Sequence, residues 1–76
     1  MHPTTSYEYL IPPTLEEAQS VVGGTVELIT LVGGSQLLCN EEGLIRNLPV
    51  NLKASSIAGQ SIVGNVLILS GKARWR

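Results

Sequence analysis

The chain has 76 residues, a formal net charge of −1 at pH 7 and a hydrophobic fraction of 43%. This length allows one domain, which we expect to span residues 1–76 with a core from about residue 7 to residue 70 and a tail over residues 71–76. Only five residues are basic, too few for the broad basic face that supplies most non-specific affinity for DNA, so the composition argues against nucleic-acid binding.

The means of stabilising so small a core are limited. The sequence has no Phe and one Trp, so few large rings are available to anchor the core. Cys39 is the only cysteine, which excludes an intrachain disulfide, and His2 is the only histidine, so we expect no metal site. Because small domains without such staples commonly associate with another subunit, we expect a homo-oligomer that needs no cofactor.

The hydropathy of the chain and its first residues indicate a compartment. The first residues lack the basic start and the apolar run of a secretion signal. No apolar stretch reaches the roughly 18 residues needed to cross a bilayer. We therefore expect a cytoplasmic protein without membrane contact, a compartment in which an unpaired cysteine is also common.

The first third of the chain predicts a strand followed by a helix. Residues 7–11 alternate aromatic, charged and aliphatic side chains, as a half-buried strand does. Thr14 and Glu17 have the spacing of a capping box, in which each side chain accepts a hydrogen bond from the other residue's backbone. We therefore expect a helix over residues 15–22, ended by the glycine pair at residues 23–24.

A hairpin is predicted next. Residues 25–32 and 35–40 are two strand-like runs rich in β-branched and aliphatic side chains. Gly33 and Gly34 separate them, and a two-residue glycine link is a typical hairpin turn because glycine readily takes a positive φ.

The remaining elements are shorter. Residues 41–43 predict a turn into a short strand at residues 44–45, and residues 53–58 predict one helical turn. Residues 61–70 are too continuously apolar for a strand with one wet face, so we expect this strand in the middle of the sheet or in a subunit interface. The element order predicts a small α+β domain with a mainly antiparallel sheet, one N-terminal helix and a short second helical turn.

The residue inventory offers little for catalysis. General acid–base chemistry needs a paired donor and acceptor, but the adjacent carboxylates at residues 16–17 and 41–42 do not face each other on a helix or strand. Cys39 lies in a predicted strand without a histidine to activate it, so we interpret it as a buried apolar side chain. We therefore expect that the protein is not an enzyme.

Polar side chains are densest between residues 40 and 53. Amides offer donors and acceptors, arginine contacts phosphate, and carboxylates accept hydrogen bonds from ribose hydroxyls. The candidate ligand-binding residues in this segment are Asn40, Glu42, Arg46, Asn47 and Asn51. This mixture suits a small anionic sugar-phosphate ligand. The alternative interpretation is that the same residues simply build tight turns.

The tail contains a further candidate residue. Trp75, the only tryptophan, lies between Arg74 and Arg76. Tryptophan and arginine planes both stack on nucleobases, so Trp75 is a candidate for stacking a base while the arginines contact phosphate. The alternative is a frayed, solvated end.

Four motifs in a fixed order carry a family resemblance. They are Val-Gly-Gly after the predicted helix, Asn-Glu-Glu-Gly after the hairpin, Leu-Pro-Val-Asn, and Ile-Val-Gly before the last strand. Over residues 15–69 this order resembles a family of small phage and mobile-element proteins known as domain of unknown function 3846. Thr25 stands where members often carry an aromatic residue, and Ser61 stands where an acidic residue is usual.

The resemblance implies a function. Small phage proteins of this kind are candidates for sponges, which are oligomers that bind and hide the nucleotide signals of bacterial immunity. We therefore expect a non-enzymatic anti-defence protein of the host cytoplasm that sequesters an ADP-ribose-derived or cyclic nucleotide. Arg46 would pair with phosphate, the three asparagines would bind ribose or base, Glu42 would accept from ribose and Trp75 would stack. A protein-interaction module that inhibits a host protein is the alternative, and hydrolysis of the signal is a third hypothesis.

Overall fold

The computed structural model describes residues 4–75, which form a four-stranded sheet with two helices. The elements are β1 (Ser6–Tyr9), α1 (Leu15–Val22), β2 (Val26–Thr30), β3 (Gln36–Asn40), α2 (Leu52–Ala58), β4 (Val66–Leu69) and a short 3-10 turn (Gly71–Ala73). The strand order is β1-β4-β3-β2. The β2–β3 and β3–β4 pairs are antiparallel and β1–β4 is parallel. The predicted α+β class with a mainly antiparallel sheet is therefore confirmed.

Helix α1 begins and ends where its capping residues predict. The Thr14 hydroxyl accepts from the Glu17 N–H at 3.1 Å, and the Glu17 carboxylate accepts from the Thr14 N–H at 2.9 Å. Gly23 follows the helix with a left-handed φ of 80° and donates its N–H to the Gln19 carbonyl. Because both ends have local partners for their free backbone groups, this helix is readable from local sequence.

The core lies on both faces of the sheet. Side chains alternate along β3 and β4, so neighbouring residues enter different clusters. On the α1 face, Ala18 and Val22 pack with a first set of strand residues, which is Leu38, Leu67 and Leu69. On the α2 face, Ala54 packs with a second set, which is Leu37, Cys39, Val66 and Ile68. The two helices therefore cover opposite faces of one sheet.

Strand β4 lies inside the sheet, between β1 and β3. All four of its residues are buried, because each face of the strand meets one of the two clusters. The mid-sheet position predicted from the continuous apolar run is confirmed. The strand is shorter than the predicted residues 61–70, because Gly64 has a φ of 81° and breaks the extended chain before Val66.

Strand β1 also ends earlier than predicted. It pairs with β4 as far as Tyr9, which lies beside Leu69. The partner strand ends there, so Leu10 and Ile11 have no neighbour and are 89% and 74% exposed. The predicted strand over residues 7–11 is therefore wrong at its C-terminal end.

The β2–β3 hairpin is confirmed, but its turn is wider than the predicted Gly33–Gly34 link. Gly34 donates its N–H to the Leu31 carbonyl at 3.0 Å, and Leu31 donates to the Ser35 carbonyl at 2.7 Å. Val32 and Gly33 are therefore the central residues of the turn. Gly33 and Gly34 both have a φ of 94°, so both positions use the positive φ that favours glycine.

The strand predicted at residues 44–45 is wrong. Residues 41–47 form consecutive turns, and the Arg46 N–H donates to the Glu42 carbonyl at 3.0 Å, as in a helix. Asn47 closes the segment with a φ of 54°, its N–H bonding the Leu44 carbonyl while the Leu48 N–H bonds that of Gly43. This is the Schellman pattern of a helix C-terminus, and it overrides the strand preference of the two aliphatic residues.

Helix α2 has seven residues, so the predicted second helical turn is confirmed and is slightly longer than expected. Gly59 ends it with a φ of 69°. Within residues 4–75, neither helix has the length and apolarity that crossing a bilayer requires.

Candidate functional site

Two of the predicted binding residues meet at the C-terminal end of α1. Asn40 is 5% exposed and donates from Nδ2 to the Val22 carbonyl at 3.0 Å. Arg46 donates from Nη1 to the Gly23 carbonyl at 2.8 Å. Both side chains therefore satisfy carbonyls that the helix leaves free, and the arginine charge also complements the negative end of the helix dipole.

Gly24 leaves room for this arrangement. A Cβ placed on Gly24 would lie 3.1 Å from Arg46 Nη1 and 3.1 Å from Asn40 Nδ2. The glycine pair after α1 therefore has two separate uses. Gly23 ends the helix, and Gly24 allows the two polar side chains to approach its backbone.

Glu42 and Asn47 lie on the exposed turns that follow β3. The Glu42 N–H donates to Asn40 Oδ1 at 2.7 Å, while its own carboxylate is on the surface. Asn47 is the residue in the left-handed conformation that closes the turn. One segment therefore contains four of the predicted residues, of which Asn40 is buried and Glu42, Arg46 and Asn47 are exposed.

Asn51 lies elsewhere and is 2% exposed. Its Oδ1 accepts the Ala54 N–H at 3.0 Å, which caps α2, and also the Ser6 hydroxyl at 3.2 Å. Its Nδ2 donates to the Gly64 carbonyl at 2.9 Å. This amide links α2 to β1 and to the residues before β4, so its polar atoms are already bonded within the chain.

Trp75 is held at the other end of β3. Gln36, the first residue of that strand, accepts the Trp75 N–H at 2.6 Å and donates to the Trp75 carbonyl at 2.7 Å. The indole N–H donates to the Pro13 carbonyl at 2.9 Å, and the ring packs on the α1-face cluster. Residues 71–75 are therefore packed against the domain. The structure divides the six predicted residues among three places.

The C-terminal segment forms a small polar pocket. Gln36, Gly71, Lys72, Arg74 and Trp75 line a volume of about 160 Å³. Arg74 is fixed there, because Nε donates to the Gly71 carbonyl at 3.1 Å and Nη1 to the Gly34 carbonyl at 3.2 Å. Two cationic residues, Lys72 and Arg74, and Trp75 therefore line one pocket.

A second pocket has the opposite charge. It lies on the α2 face of the sheet beside β2 and β3 and has a volume of about 260 Å³. Its lining includes Glu27, Cys39 and Glu41. Burial first, and the neighbouring Glu27 carboxylate second, together raise the pKa of the Cys39 thiol to about 11. The thiol is therefore protonated at neutral pH. The acidic residues Glu27 and Glu41 make this pocket a poor site for an anion.

No buried polar side-chain atom of the described residues is left without a hydrogen bond that a ligand could supply. Every buried side-chain nitrogen and oxygen in residues 4–75 has a hydrogen-bond partner. Over the same residues, no three side chains of His, Cys, Asp or Glu lie close enough together to hold a metal ion. His2 and Arg76, which the sequence analysis considered, lie outside the described residues.

Sequence reasoning missed Gln36 and Lys72 as members of the C-terminal pocket. The Gln36 contact joins residues 39 positions apart, so no local pattern indicates it. Lys72 had a usable signal, because it alternates with Arg74 next to the only tryptophan.

These features define a class: a small α+β domain with a helix on each face of a mostly antiparallel sheet and with a polar pocket at its C-terminal segment. The chain belongs to the family described as Domain of unknown function (DUF3846), whose family model matches residues 2–74. No curated protein and no solved structure matched the chain.

Proposed function

We propose that the protein is a non-enzymatic, homo-oligomeric sponge that sequesters a small anionic nucleotide, derived from ADP-ribose or cyclic. In the proposed setting it is an anti-defence protein of a phage or mobile element and acts in the host cytoplasm. The observation that carries the proposal is the C-terminal pocket, where Lys72 and Arg74 stand beside Trp75. Cations beside an aromatic ring suit a phosphate that is attached to a base.

The pocket size supports a phosphate contact rather than a whole enclosed nucleotide. Its volume of about 160 Å³ is below the roughly 300–1,000 Å³ of pockets that enclose small molecules. The sugar and base must therefore lie outside it, against the surface or a second subunit. This size supports a proposal in which a second subunit completes the site.

The segment from Asn40 to Asn47 offers a competing place for the phosphate. Arg46 is exposed, but its Nη1 already donates to the Gly23 carbonyl. Asn40 is buried and bonded to α1. Arg74 is also bonded to carbonyls, but a second cation, Lys72, and Trp75 line the same pocket, so we favour the C-terminal pocket.

Isothermal titration calorimetry with ADP-ribose and with a cyclic dinucleotide tests this choice. Lys72→Ala removes a cation from the pocket, and we expect binding to weaken about 10–100-fold, the effect of one lost charge-assisted hydrogen bond. Lys53→Ala is the matched control, because Lys53 is an exposed lysine paired with Glu8 on another part of the surface. We expect this control to bind as the unmodified protein does.

A second variant, Arg46→Ala, defines the result that would contradict the C-terminal assignment. If Arg46→Ala abolishes binding while Lys72→Ala leaves it intact, the phosphate lies in the Asn40–Asn47 segment and the C-terminal assignment is wrong. If neither nucleotide binds the unmodified protein, the proposed ligand class is wrong.

Exposed apolar side chains favour a second candidate, a module that inhibits a host protein by direct binding. Leu44 and Ile45 are 71% and 82% exposed on the turns after β3. Val22, Leu48 and Pro49 help to line a separate, mainly apolar groove of about 370 Å³. Exposed apolar groups of this kind are typical of protein-binding surfaces.

Affinity capture from host lysate distinguishes the two candidates. Recovery of one stoichiometric host protein and no small ligand would support the inhibitory module. Ile45→Glu should then abolish capture, whereas Val32→Glu, at an exposed aliphatic residue of the hairpin turn, should not.

A further inference from the structure

Strand β2 is an open edge of the sheet. It is the last strand in the order β1-β4-β3-β2, and no other strand in residues 4–75 pairs with its outer side. The register identifies which backbone groups face outward. The Glu41 N–H bonds the Thr25 carbonyl at 2.9 Å, and the Leu31 N–H bonds the Ser35 carbonyl at 2.7 Å.

In an antiparallel ladder, hydrogen-bonded positions alternate along the strand. Since Thr25 and Leu31 bond across to the segment that contains β3, Glu27 and Ile29 do so as well. The N–H and C=O groups of the three residues between them therefore point away from β3. These residues are Val26, Leu28 and Thr30.

A second copy of the same strand satisfies all of these groups. With a twofold axis through Leu28, the two Leu28 residues face each other and Val26 faces Thr30 of the other copy. Each facing pair exchanges two backbone hydrogen bonds, as hydrogen-bonded positions of an antiparallel ladder do. No outward group of β2 is then left without a partner.

The side chains fit the same register. Leu28 is 41% exposed, so the two copies would bury apolar surface against each other at the axis. Glu27 would face Ile29 of the other copy, which keeps the two carboxylates from lying directly opposite. The strand carries no lysine or proline, residues that commonly prevent association at an edge.

The other edge fits less well. Strand β1 has four residues. Because Thr5 already bonds Val66, alternation leaves outward backbone groups only at Ser6 and Glu8. Pairing β1 of one copy with β2 of another would join unlike edges, which gives a ring or an open chain of subunits rather than a twofold dimer.

We propose that two copies of this chain associate through antiparallel pairing of β2 with β2 about an axis at Leu28, which forms one continuous eight-stranded sheet. This inference rests on the homo-oligomer of the proposed function and deepens it by naming the interface. It is tested without any nucleotide, so its failure is distinct from a failure of ligand binding.

Light scattering after size-exclusion chromatography tests the interface. Leu28→Lys places two like charges face to face at the axis, and we expect it to halve the measured mass. Tyr7→Lys is the matched control, because Tyr7 is 43% exposed on the same face of the sheet but lies on β1. We expect Tyr7→Lys to keep the mass of the unmodified protein.

A monomeric unmodified protein would overturn the proposal, as would a Leu28→Lys variant of unchanged mass. A mass halved by Tyr7→Lys alone would place the interface at β1 and would overturn it equally. Circular dichroism of each variant confirms that the fold is intact.

Disulfide cross-linking tests the register independently of charge. Facing hydrogen-bonded residues have Cα atoms about 5.5 Å apart, within the range that a disulfide spans. Leu28→Cys should therefore cross-link the two copies under mild oxidation. Thr30→Cys should not, because the two Thr30 residues would lie four positions apart along the strands, about 13 Å.

Cys39 is 6% exposed and supplies the background rate in the unmodified protein. Cross-linking of Thr30→Cys but not of Leu28→Cys, or of neither variant above background, would overturn the proposed register.

Discussion

Asn51 shows how one side chain can set the local architecture. It is 2% exposed and bonds to Ala54, Ser6 and Gly64, which belong to three different parts of the chain. A buried amide with all its partners strengthens a fold, whereas its removal leaves those partners without hydrogen bonds. The Leu-Pro-Val-Asn motif therefore has a structural use, whatever the ligand.

We predict that Asn51→Ala lowers the free energy of unfolding by about 2–4 kcal/mol, because it removes the cap of α2 and leaves the Gly64 carbonyl without a partner. Asn47→Gly is the control, since the Asn47 side chain is exposed and glycine readily takes its left-handed φ. Urea unfolding measures both variants. A loss below about 0.5 kcal/mol for Asn51→Ala would contradict the structural role.

Cys39 gives a prediction that depends on pH. Its pKa rises from the ordinary 9.0 to about 11 in the folded chain, through burial first and Glu27 second. The folded state therefore holds the thiol proton more tightly than the unfolded state does. This contribution to stability is fully present below pH 9.0 and is lost as pH rises toward about 11.

We expect the free energy of unfolding to fall over that interval. This fall, measured for each protein from its stability at neutral pH, should be smaller in Cys39→Ala, because that variant has no thiol to titrate. Unfolding curves across the pH range measure the difference. Equal slopes for the two proteins would show that the thiol titrates normally in the folded state.

At the scale of elements, local sequence explains those elements that close their own ends. Helix α1 has its capping box at Thr14 and Glu17, and the hairpin has its glycines, so both were predicted. The false strand at residues 44–45 arose because strand preference was weighed without the left-handed Asn47 that closes a helical turn. The parallel pairing of β1 with β4 joins residues 60 positions apart, and no local pattern specifies it.

Gly64, just before β4, lies close to the Leu48 side chain. Its φ is 81°, and an added Cβ would lie 2.9 Å from Leu48 Cδ1. Gly59 has a similar φ of 69° with open space around it. We predict that Gly64→Ala lowers the free energy of unfolding by about 1 kcal/mol more than Gly59→Ala, because only the first adds a close contact to the backbone strain.

Thermal or urea unfolding of both glycine variants gives this difference directly. The end of the Leu48 side chain makes the contact. When Gly64→Ala is compared with its parent in a Leu48→Ala background, the excess loss of stability should therefore disappear. Equal losses for the two glycine variants would mean that Leu48 moves aside without cost.

The candidate site was predictable in chemistry more than in position. Asn40 and Arg46 were recognised as polar groups, but their bonds to Val22 and Gly23 depend on how α1 packs. Trp75 was recognised as an aromatic residue beside cations, while its partner Gln36 comes from the start of β3. Long-range contacts decide which polar residues are used within the fold, and the sequence does not display them.

At the scale of the whole molecule, the two proposals fit one arrangement. The C-terminal pocket holds little more than a phosphate, and the open edge of β2 provides for a second copy. In a dimer formed through β2, Thr30 lies opposite Val26 of the other copy, and its own cross-strand partner Gln36 lines the pocket. Oligomerisation and ligand binding are therefore expected in neighbouring parts of the molecule.

Native mass spectrometry of the purified protein, before and after incubation with lysate from cells that produce immune nucleotide signals, tests the sequestration claim most directly. We predict a discrete oligomer that gains a few hundred daltons per site and releases an intact nucleotide on denaturation, with the gain reduced in Lys72→Ala. An oligomer that gains no mass, or that releases a cleaved nucleotide, would contradict the account of a non-enzymatic sponge.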